Sequence, residues 1–251
     1  TWQLPSISPD PLADLVLMQQ LARHPKLVSV ALSAPEHGEE EATRNARQCV
    51  EVLARLWVRA REEGERRQVE GWMQVVAQRL AVWPSSAWTS LDQALPAPDR
   101  TLALRSFLAD FYQARLTHSL PEEERAKVLT MLGYALSELG RREEALAAAQ
   151  EAVAIRRQLA QQHPEAFLPD LAMSLRTYGI VLRVLSHDAE AVIAFADGLR
   201  AILPFVGISS AFGELAKNLL QDYRSACTAA QVAPDTALLA QVIQALGQAS
   251  S

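Results

Sequence analysis

The sequence lacks the features that β-structure, zinc chemistry and membrane insertion require. Aromatic residues make up only 6% of its 251 residues, and the runs of β-branched and aromatic residues typical of strands are nearly absent. Its two cysteines, Cys49 and Cys227, lie in no CxxC motif or Cys/His cluster, so neither a zinc site nor a redox dithiol has support. No run of about 18 apolar residues exists, so no membrane span is predicted.

Motifs for catalysis, cofactor binding and nucleic-acid binding are missing as well. The sequence contains no GxGxxG, GxxxxGK[ST] or HExxH pattern, and its five histidines do not stand at spacings that suggest a triad. The net charge is −5, with mixed signs along most segments and no basic stripe. We therefore expect a protein that is not an enzyme, needs no cofactor or metal, and binds neither nucleic acid nor membrane.

The cysteines and the start of the chain bear on its location. Cys49 and Cys227 lie far apart in segments of helical character, which predicts two buried thiols in a reducing compartment, the cytoplasm. The chain begins Thr-Trp-Gln, without an initiator methionine or a signal-peptide pattern. We interpret it as a processed chain or as a fragment of a longer protein. The sequence leaves the oligomeric state open.

The residues that are abundant favour helix. Alanine, leucine, glutamine, arginine and glutamate are frequent in a chain that is 49% hydrophobic. Apolar residues recur at three- and four-residue steps, and proline and glycine interrupt the pattern. The predicted helices cover about residues 10–23, 39–63, 65–83, 99–117, 120–139, 142–161, 168–185, 187–203, 210–230 and 235–246. Short helices are predicted at about 26–34, where the pattern also fits a strand, and at 86–94.

The segment from Ala126 to Phe205 contains the same pattern twice. Gly133 and Gly179 lie 46 residues apart and form one matching pair. Seven further pairs match at the same offset: Ala126/Ala172, Leu129/Leu175, Leu136/Leu182, Leu139/Leu185, Glu144/Glu190, Ala145/Ala191 and Ala148/Ala194. A period of this length indicates a repeat architecture.

The two copies resemble the tetratricopeptide repeat (TPR), in which two helices, A and B, form a hairpin. The first copy reads Leu129, Leu132-Gly133, Leu136, Ala145, Ala149 and Ala152, and the second reads Leu175, Tyr178-Gly179, Leu182, Ala191, Phe195 and Gly198. Small residues at the glycine and alanine positions let helices A and B approach closely. The period is longer than the usual length of about 34 residues, and it resembles the long-helix type of kinesin light chain and many bacterial multidomain proteins.

This resemblance implies an all-α fold, a right-handed α-α superhelix of helical hairpins. We expect residues 119–251 to form TPR-like repeats whose last two helices are a degenerate third copy that caps the stack. Residues 1–118 are expected to form a helical N-terminal part, built from degenerate repeats or from a separate cap.

The resemblance also places a binding surface on the A helices, which line the concave side of such an array. Positions off the leucine-glycine stripe form the candidate partner-binding face: Lys127, Thr130, Tyr134, Ser137, Met173, Arg176, Ile180 and Arg183. Lys127, Arg176 and Arg183 would make this face basic, which suits an acidic or phosphorylated peptide. The same residues also fit an ordinary solvated helix face.

The function implied is that of a non-catalytic scaffold or sensor module that binds a peptide or protein, as the regulatory part of a larger signalling protein. The alternative is an all-α enzyme or small-ligand receptor with a pocket in the tryptophan-rich first half. All five tryptophans lie before residue 90: Trp2, Trp57, Trp72, Trp83 and Trp88. We interpret them mainly as bulky fillers between helices.

Overall fold

The structure is a computed structural model, and it describes residues 20, 21, 23, 39–84, 90 and 102–249. Every regular element in these residues is a helix, which confirms the all-α prediction. The chain divides into two compact units, residues 1–118 and residues 119–251. The helices expected over 10–23, 26–34 and 86–94 lie mostly or wholly outside the described residues.

In the first unit the structure describes α1 (Glu39–Arg59), α2 (Glu63–Ala81) and α3 (Leu102–Leu116). Helix α2 packs against both α1 and α3. A buried arginine of α3, Arg115, donates from Nη1 to the carbonyl oxygens of Ala81 at 2.8 Å and Trp83 at 2.6 Å. The end of a helix leaves carbonyls without helical partners. Arg115 therefore ties α3 to the end of α2.

The described part of the second unit consists of α4 (Glu122–Glu138), α5 (Arg142–Gln162), α6 (Pro164–Val184), α7 (Asp188–Ile202), a 3₁₀ turn (Leu203–Phe205), α8 (Ser210–Ala229) and α9 (Thr236–Ala249). Helices that follow one another in the chain pack together, and α4 also packs against α6, as α6 does against α8. The unit is therefore a row of three hairpins, in which α4, α6 and α8 are the A helices. This arrangement is consistent with a TPR-like helical solenoid.

The two glycines of the repeat lie where helix A meets helix B of the same hairpin. A Cβ atom added at Gly133 would lie 3.4 Å from the Cβ atom of Ala149 on α5. One added at Gly179 would lie 2.5 Å from a ring atom of Phe195 on α7. An added methyl group would therefore be in ordinary contact at Gly133, whereas at Gly179 the ring of Phe195 leaves no room for one, so only the second hairpin requires glycine.

All three A helices end in the same kind of turn. Each turn contains a residue of positive φ: Gly140 (73°), Ser186 (62°) and Gln231 (56°). In each, the next amide donates to a carbonyl of the last helical turn: Arg141 to Leu136 at 3.0 Å, His187 to Leu182 at 2.9 Å and Val232 to Cys227 at 3.0 Å. This hydrogen bond across the left-handed residue is that of a Schellman motif. The turn that ends α8 thus has the same geometry as those that end α4 and α6, and a third repeat copy in α8 and α9 stays a prediction.

Helix α8 departs from the repeat at its central position. Matching α8 to α6 at an offset of 44 residues pairs Ala216, Leu219, Tyr223 and Ala226 with Ala172, Leu175, Gly179 and Leu182. Buried Tyr223 replaces the glycine, and its hydroxyl oxygen accepts a hydrogen bond from the amide of Asp235 at 2.9 Å. Burial raises the pKa of the Tyr223 phenol, so the hydroxyl stays protonated at neutral pH.

Helix α6 begins earlier than predicted. It starts at Pro164 instead of about residue 168, so Pro169 lies in its second turn rather than its first. Pro169 has no N–H to donate to the carbonyl of Glu165. Because Glu165 is exposed, water can solvate that carbonyl, and the helix continues through the proline.

Both cysteines are free and buried, which confirms the prediction of two buried thiols. Burial raises the pKa of the Cys49 thiol to about 12, so this side chain behaves as a small apolar residue of α1. Across the described residues, no helix combines the length and the apolar character needed to cross a membrane. The same residues hold no cluster of His, Cys, Asp and Glu suited to a metal ion.

Candidate functional site

The residues predicted to bind a partner all lie on two A helices. Lys127, Thr130, Tyr134 and Ser137 belong to α4, and Met173, Arg176, Ile180 and Arg183 belong to α6. These two helices pack against each other. We call this set, together with its counterparts on α8, the A-helix face.

Two of the eight side chains are buried and do not contribute to an exposed surface. Thr130 is 3% exposed and Ser137 is 8% exposed. The Thr130 hydroxyl donates to the carbonyl oxygen of Ala126 at 2.9 Å and lies 2.8 Å from the hydroxyl oxygen of Ser174 on α6. Thr130 therefore joins α4 to α6, and we remove it and Ser137 from the surface proposed to contact a partner.

The remaining six combine apolar and basic character. Met173 is 43% exposed, which makes it an exposed large apolar residue on an A helix. Lys127, Tyr134, Arg176, Ile180 and Arg183 are half-buried. Ile180 also packs against the core cluster of the last two hairpins, which fixes its position. The exposed part of α6 thus offers a methionine and an isoleucine with an arginine between them.

Both arginines of the face already hold partners within the unit. Arg176 Nε lies 2.7 Å from Asp222 Oδ2 on α8, and the two side chains are 32% and 23% exposed. Arg183 Nη1 donates to Ser225 Oγ on α8 at 2.9 Å, and its Nε lies 3.8 Å from Asp188 Oδ1. The two arginines that the sequence predicts to bind an acidic peptide therefore also connect α6 to α8.

The structure adds residues of α8 that the sequence pattern missed. At the offset of 44 residues, Lys217, Leu220 and Arg224 occupy the positions of Met173, Arg176 and Ile180. Lys217 forms an ion pair with Glu214 at 2.7 Å. Arg224 is exposed and forms no ion pair with any other described residue. The 46-residue pattern does not reach these residues, because the offset changes and a tyrosine replaces the marker glycine.

The tryptophans of the first unit have structural contacts. Trp72 and Trp83 are buried, as expected for fillers between helices. Trp57 is half-buried; its Nε1 donates to Glu70 Oε1 at 2.8 Å, and the Arg66 guanidinium lies 5.4 Å from its ring centroid. Trp2 and Trp88 lie outside the described residues.

The described helices of the second unit are consistent with a TPR-like helical solenoid. In agreement, the family model of the tetratricopeptide repeat matches residues 125–165, which cover most of α4, all of α5 and the start of α6. The match supports a TPR-type repeat, and the long-repeat subtype stays a prediction. Comparisons with curated proteins and with solved structures found no match.

Proposed function

We propose that the second unit is a non-catalytic module that binds a protein or peptide on its A-helix face. A TPR repeat suggests a scaffold for protein interactions, and the match over residues 125–165 is the observation that carries this proposal. Three A helices at the usual spacing of about 8–10 Å give a face about 20 Å wide. An extended peptide of roughly six residues spans that distance at about 3.3 Å per residue.

Apolar contacts supply most of the binding energy in this proposal. Met173 is exposed, and its flexible thioether adapts to different partners. Tyr134 and Ile180 lie on the neighbouring positions of the face, and Tyr offers apolar area with a polar tip. An acidic group of the partner, expected from the sequence, finds the exposed Arg224 more readily than Arg176, which Asp222 already neutralises.

The experiment compares two single substitutions of equal chemistry in the full chain. Met173→Glu places a charge on the A-helix face, and Ile193→Glu places one on helix B, where Ile193 is 63% exposed. Peptides are selected from a random-peptide display library on the unmodified chain, and their affinities for each variant are measured by fluorescence polarisation. We expect Met173→Glu to weaken binding by roughly tenfold or more and Ile193→Glu to leave it unchanged.

The proposal fails if the library yields no binder, or if the selected peptides bind the Met173→Glu chain as tightly as the unmodified chain. Circular dichroism and thermal unfolding of both variants show whether the fold is retained. Because both residues are exposed, neither substitution is expected to disturb the core.

The wider setting belongs to the same proposal. We infer that the chain is located in the cytoplasm and acts as the regulatory part of a larger signalling protein, with no role for nucleic acid. The free thiols of Cys49 and Cys227 agree with a reducing compartment. The sequence that flanks this chain in its gene tests whether the chain is part of a larger signalling protein. A mobility-shift assay with duplex and single-stranded DNA and RNA tests whether it binds nucleic acid.

A further inference from the structure

The ion pair between Arg176 and Asp222 lies in the middle of the A-helix face. Its Nε–Oδ2 distance of 2.7 Å is that of a strong charge-assisted hydrogen bond. Neither side chain is fully exposed, so solvent screens the pair less than a surface pair. The pair links α6 to α8 and leaves the centre of the face close to neutral.

A ligand carboxylate gains little at such a centre. If it displaces Asp222, one carboxylate replaces another, and the half-buried Asp222 loses its partner. If it approaches without displacing Asp222, the two like charges repel each other at short distance. Arg176 alone would attract an anion, and Asp222 removes that attraction.

The residues beside the pair favour an uncharged ligand group. Met173 and Ile180 stand three positions before and four positions after Arg176, which places all three on one side of α6. An apolar ligand group over the pair would contact both hydrocarbon side chains and the stem of Arg176. The second arginine of α6, Arg183, donates to Ser225 and has the carboxylate of Asp188 3.8 Å from its Nε, so a negative charge lies beside it as well.

We propose that Asp222 determines the specificity of the A-helix face: it makes the centre select an uncharged, apolar side chain of a peptide and reject an acidic one. This inference rests on the proposed function, because it concerns the same face. Asp222 is a positioning residue here, since it acts by occupying Arg176. Removing its charge should convert the centre into a site that attracts carboxylates.

The test uses the full chain and a matched pair of charge-removing variants. Asp222→Asn keeps the shape and a hydrogen-bonding oxygen but frees the charge of Arg176. Asp197→Asn removes the same charge from helix α7, where Asp197 pairs with Arg200 at 3.1 Å and with Arg157 at 3.5 Å. A random-peptide display library is selected on the unmodified chain and on both variants, and the acidic residues of the enriched peptides are compared.

We expect Asp222→Asn to enrich peptides with Asp or Glu at the position over the pair, whereas Asp197→Asn and the unmodified chain enrich peptides with an apolar residue at that position. An acidic residue elsewhere in the peptide, opposite Arg224, would be common to all three selections. In one selected peptide, the residue whose contribution to binding is lost with Met173→Glu is replaced by Asp. The resulting peptide should bind the Asp222→Asn chain roughly tenfold more tightly than it binds the unmodified chain. The double variant Arg176→Gln/Asp222→Asn should lose this preference. Asp222→Asn and the double variant both lack the ion pair and share any loss of stability that this causes. A difference between their peptide preferences therefore reports the charge of Arg176.

The outcomes separate the two proposals. If peptides bind in a Met173-dependent way but Asp222→Asn selects the same peptides as the unmodified chain, the specificity role of Asp222 is overturned and the proposed function stands. If no selected peptide depends on Met173, both are overturned. Retention of the acidic preference in the double variant would also contradict the inference, because the preference would then not come from Arg176.

Discussion

The hairpins α4–α5 and α6–α7 share a leucine-glycine stripe, but they fill the space between their two helices differently. In the first hairpin, Gly133 faces the small side chain of Ala149. In the second, Gly179 faces the ring of Phe195, which is completely buried. The same glycine therefore has two roles. In α4–α5 an added methyl group would meet its nearest atoms at ordinary contact distance, whereas in α6–α7 the missing Cβ atom makes room for an aromatic ring.

This comparison is tested most strongly by placing alanine at each glycine. Gly179→Ala brings a methyl group to 2.5–2.8 Å from three ring atoms of Phe195, a contact that real Cβ atoms do not make. We expect the free energy of unfolding to fall by about 2 kcal/mol. Overpacking costs about 3 kcal/mol, and the better helix propensity of alanine offsets about 1 kcal/mol of this. Gly133→Ala meets its nearest atoms at 3.4 Å and is expected to be neutral or stabilising by up to about 1 kcal/mol. Urea unfolding of both variants measures the difference.

A second substitution identifies the cause. Phe195→Leu alone removes volume from the core and should destabilise the chain. In the Gly179→Ala background it should cost much less, because the smaller side chain relieves the clash, so the double-mutant cycle shows a favourable coupling. Equal losses for Gly133→Ala and Gly179→Ala would contradict the account of the two glycines.

The same comparison shows what the sequence was able to predict. The offset of 46 residues predicts both hairpins. The large and small residues that repeat at this offset indicate which side chains meet between helices A and B. The pattern also predicts the left-handed turn at Gly140, because glycine marks it openly. These features are local, or they repeat a local feature, so one sequence contains them.

The candidate site was harder to predict because burial and pairing depend on neighbouring helices. Thr130 reads as a surface residue of α4, and only the approach of Ser174 on α6 makes it internal. Arg176 reads as a free cation, although its partner Asp222 lies 46 residues away on a helix whose own repeat pattern is degenerate. A periodicity search does not reveal such partners.

A buried cation is a further difference between the two hairpins. Arg156 of α5 is 3% exposed and stands at the position that buried Ile202 occupies in α7. Its Nη1 lies 3.0 Å from Asp170 Oδ2 on α6, close but without the alignment of a hydrogen bond, and its guanidinium lies 5.7 Å from the ring centroid of Phe167. Asp170→Ala would leave this charge buried without a counter-ion.

We expect Asp170→Ala to destabilise the chain by about 2 kcal/mol, less than a fully buried pair because the Asp170 side chain is 44% exposed. Glu151→Ala is the control, since Glu151 pairs with Arg125 at 2.6 Å but both side chains are well exposed. The control should cost no more than about 0.5 kcal/mol. Similar losses in urea unfolding would show that the burial of Arg156 is not what makes Asp170 important.

The third hairpin, α8–α9, differs from the second, α6–α7, in the residue that precedes its second helix. Asp235 precedes α9, and its Oδ1 accepts a hydrogen bond from the amide of Leu238 at 3.0 Å. His187, which precedes α7, makes no such side-chain bond. Asp235→Ala should therefore cost about 1 kcal/mol and lower the hydrogen-exchange protection of α9. His187→Ala should leave the protection of α7 nearly unchanged, and equal losses in both helices would contradict this assignment.

The smallest expected effect concerns the turns that end α4 and α6. Gly140 and Ser186 both adopt positive φ, but only glycine does so without strain from a Cβ atom. Ser186→Gly should therefore relieve strain, although glycine makes the unfolded chain more flexible, so we expect a net gain of about 0.5 kcal/mol. Gly140→Ser should lower stability, because it introduces the strain that Ser186 already carries. Thermal unfolding should show opposite shifts of Tm. If both substitutions shift it in the same direction, the two turns are not equivalent, and the two hairpins differ in their connections as well as in their cores.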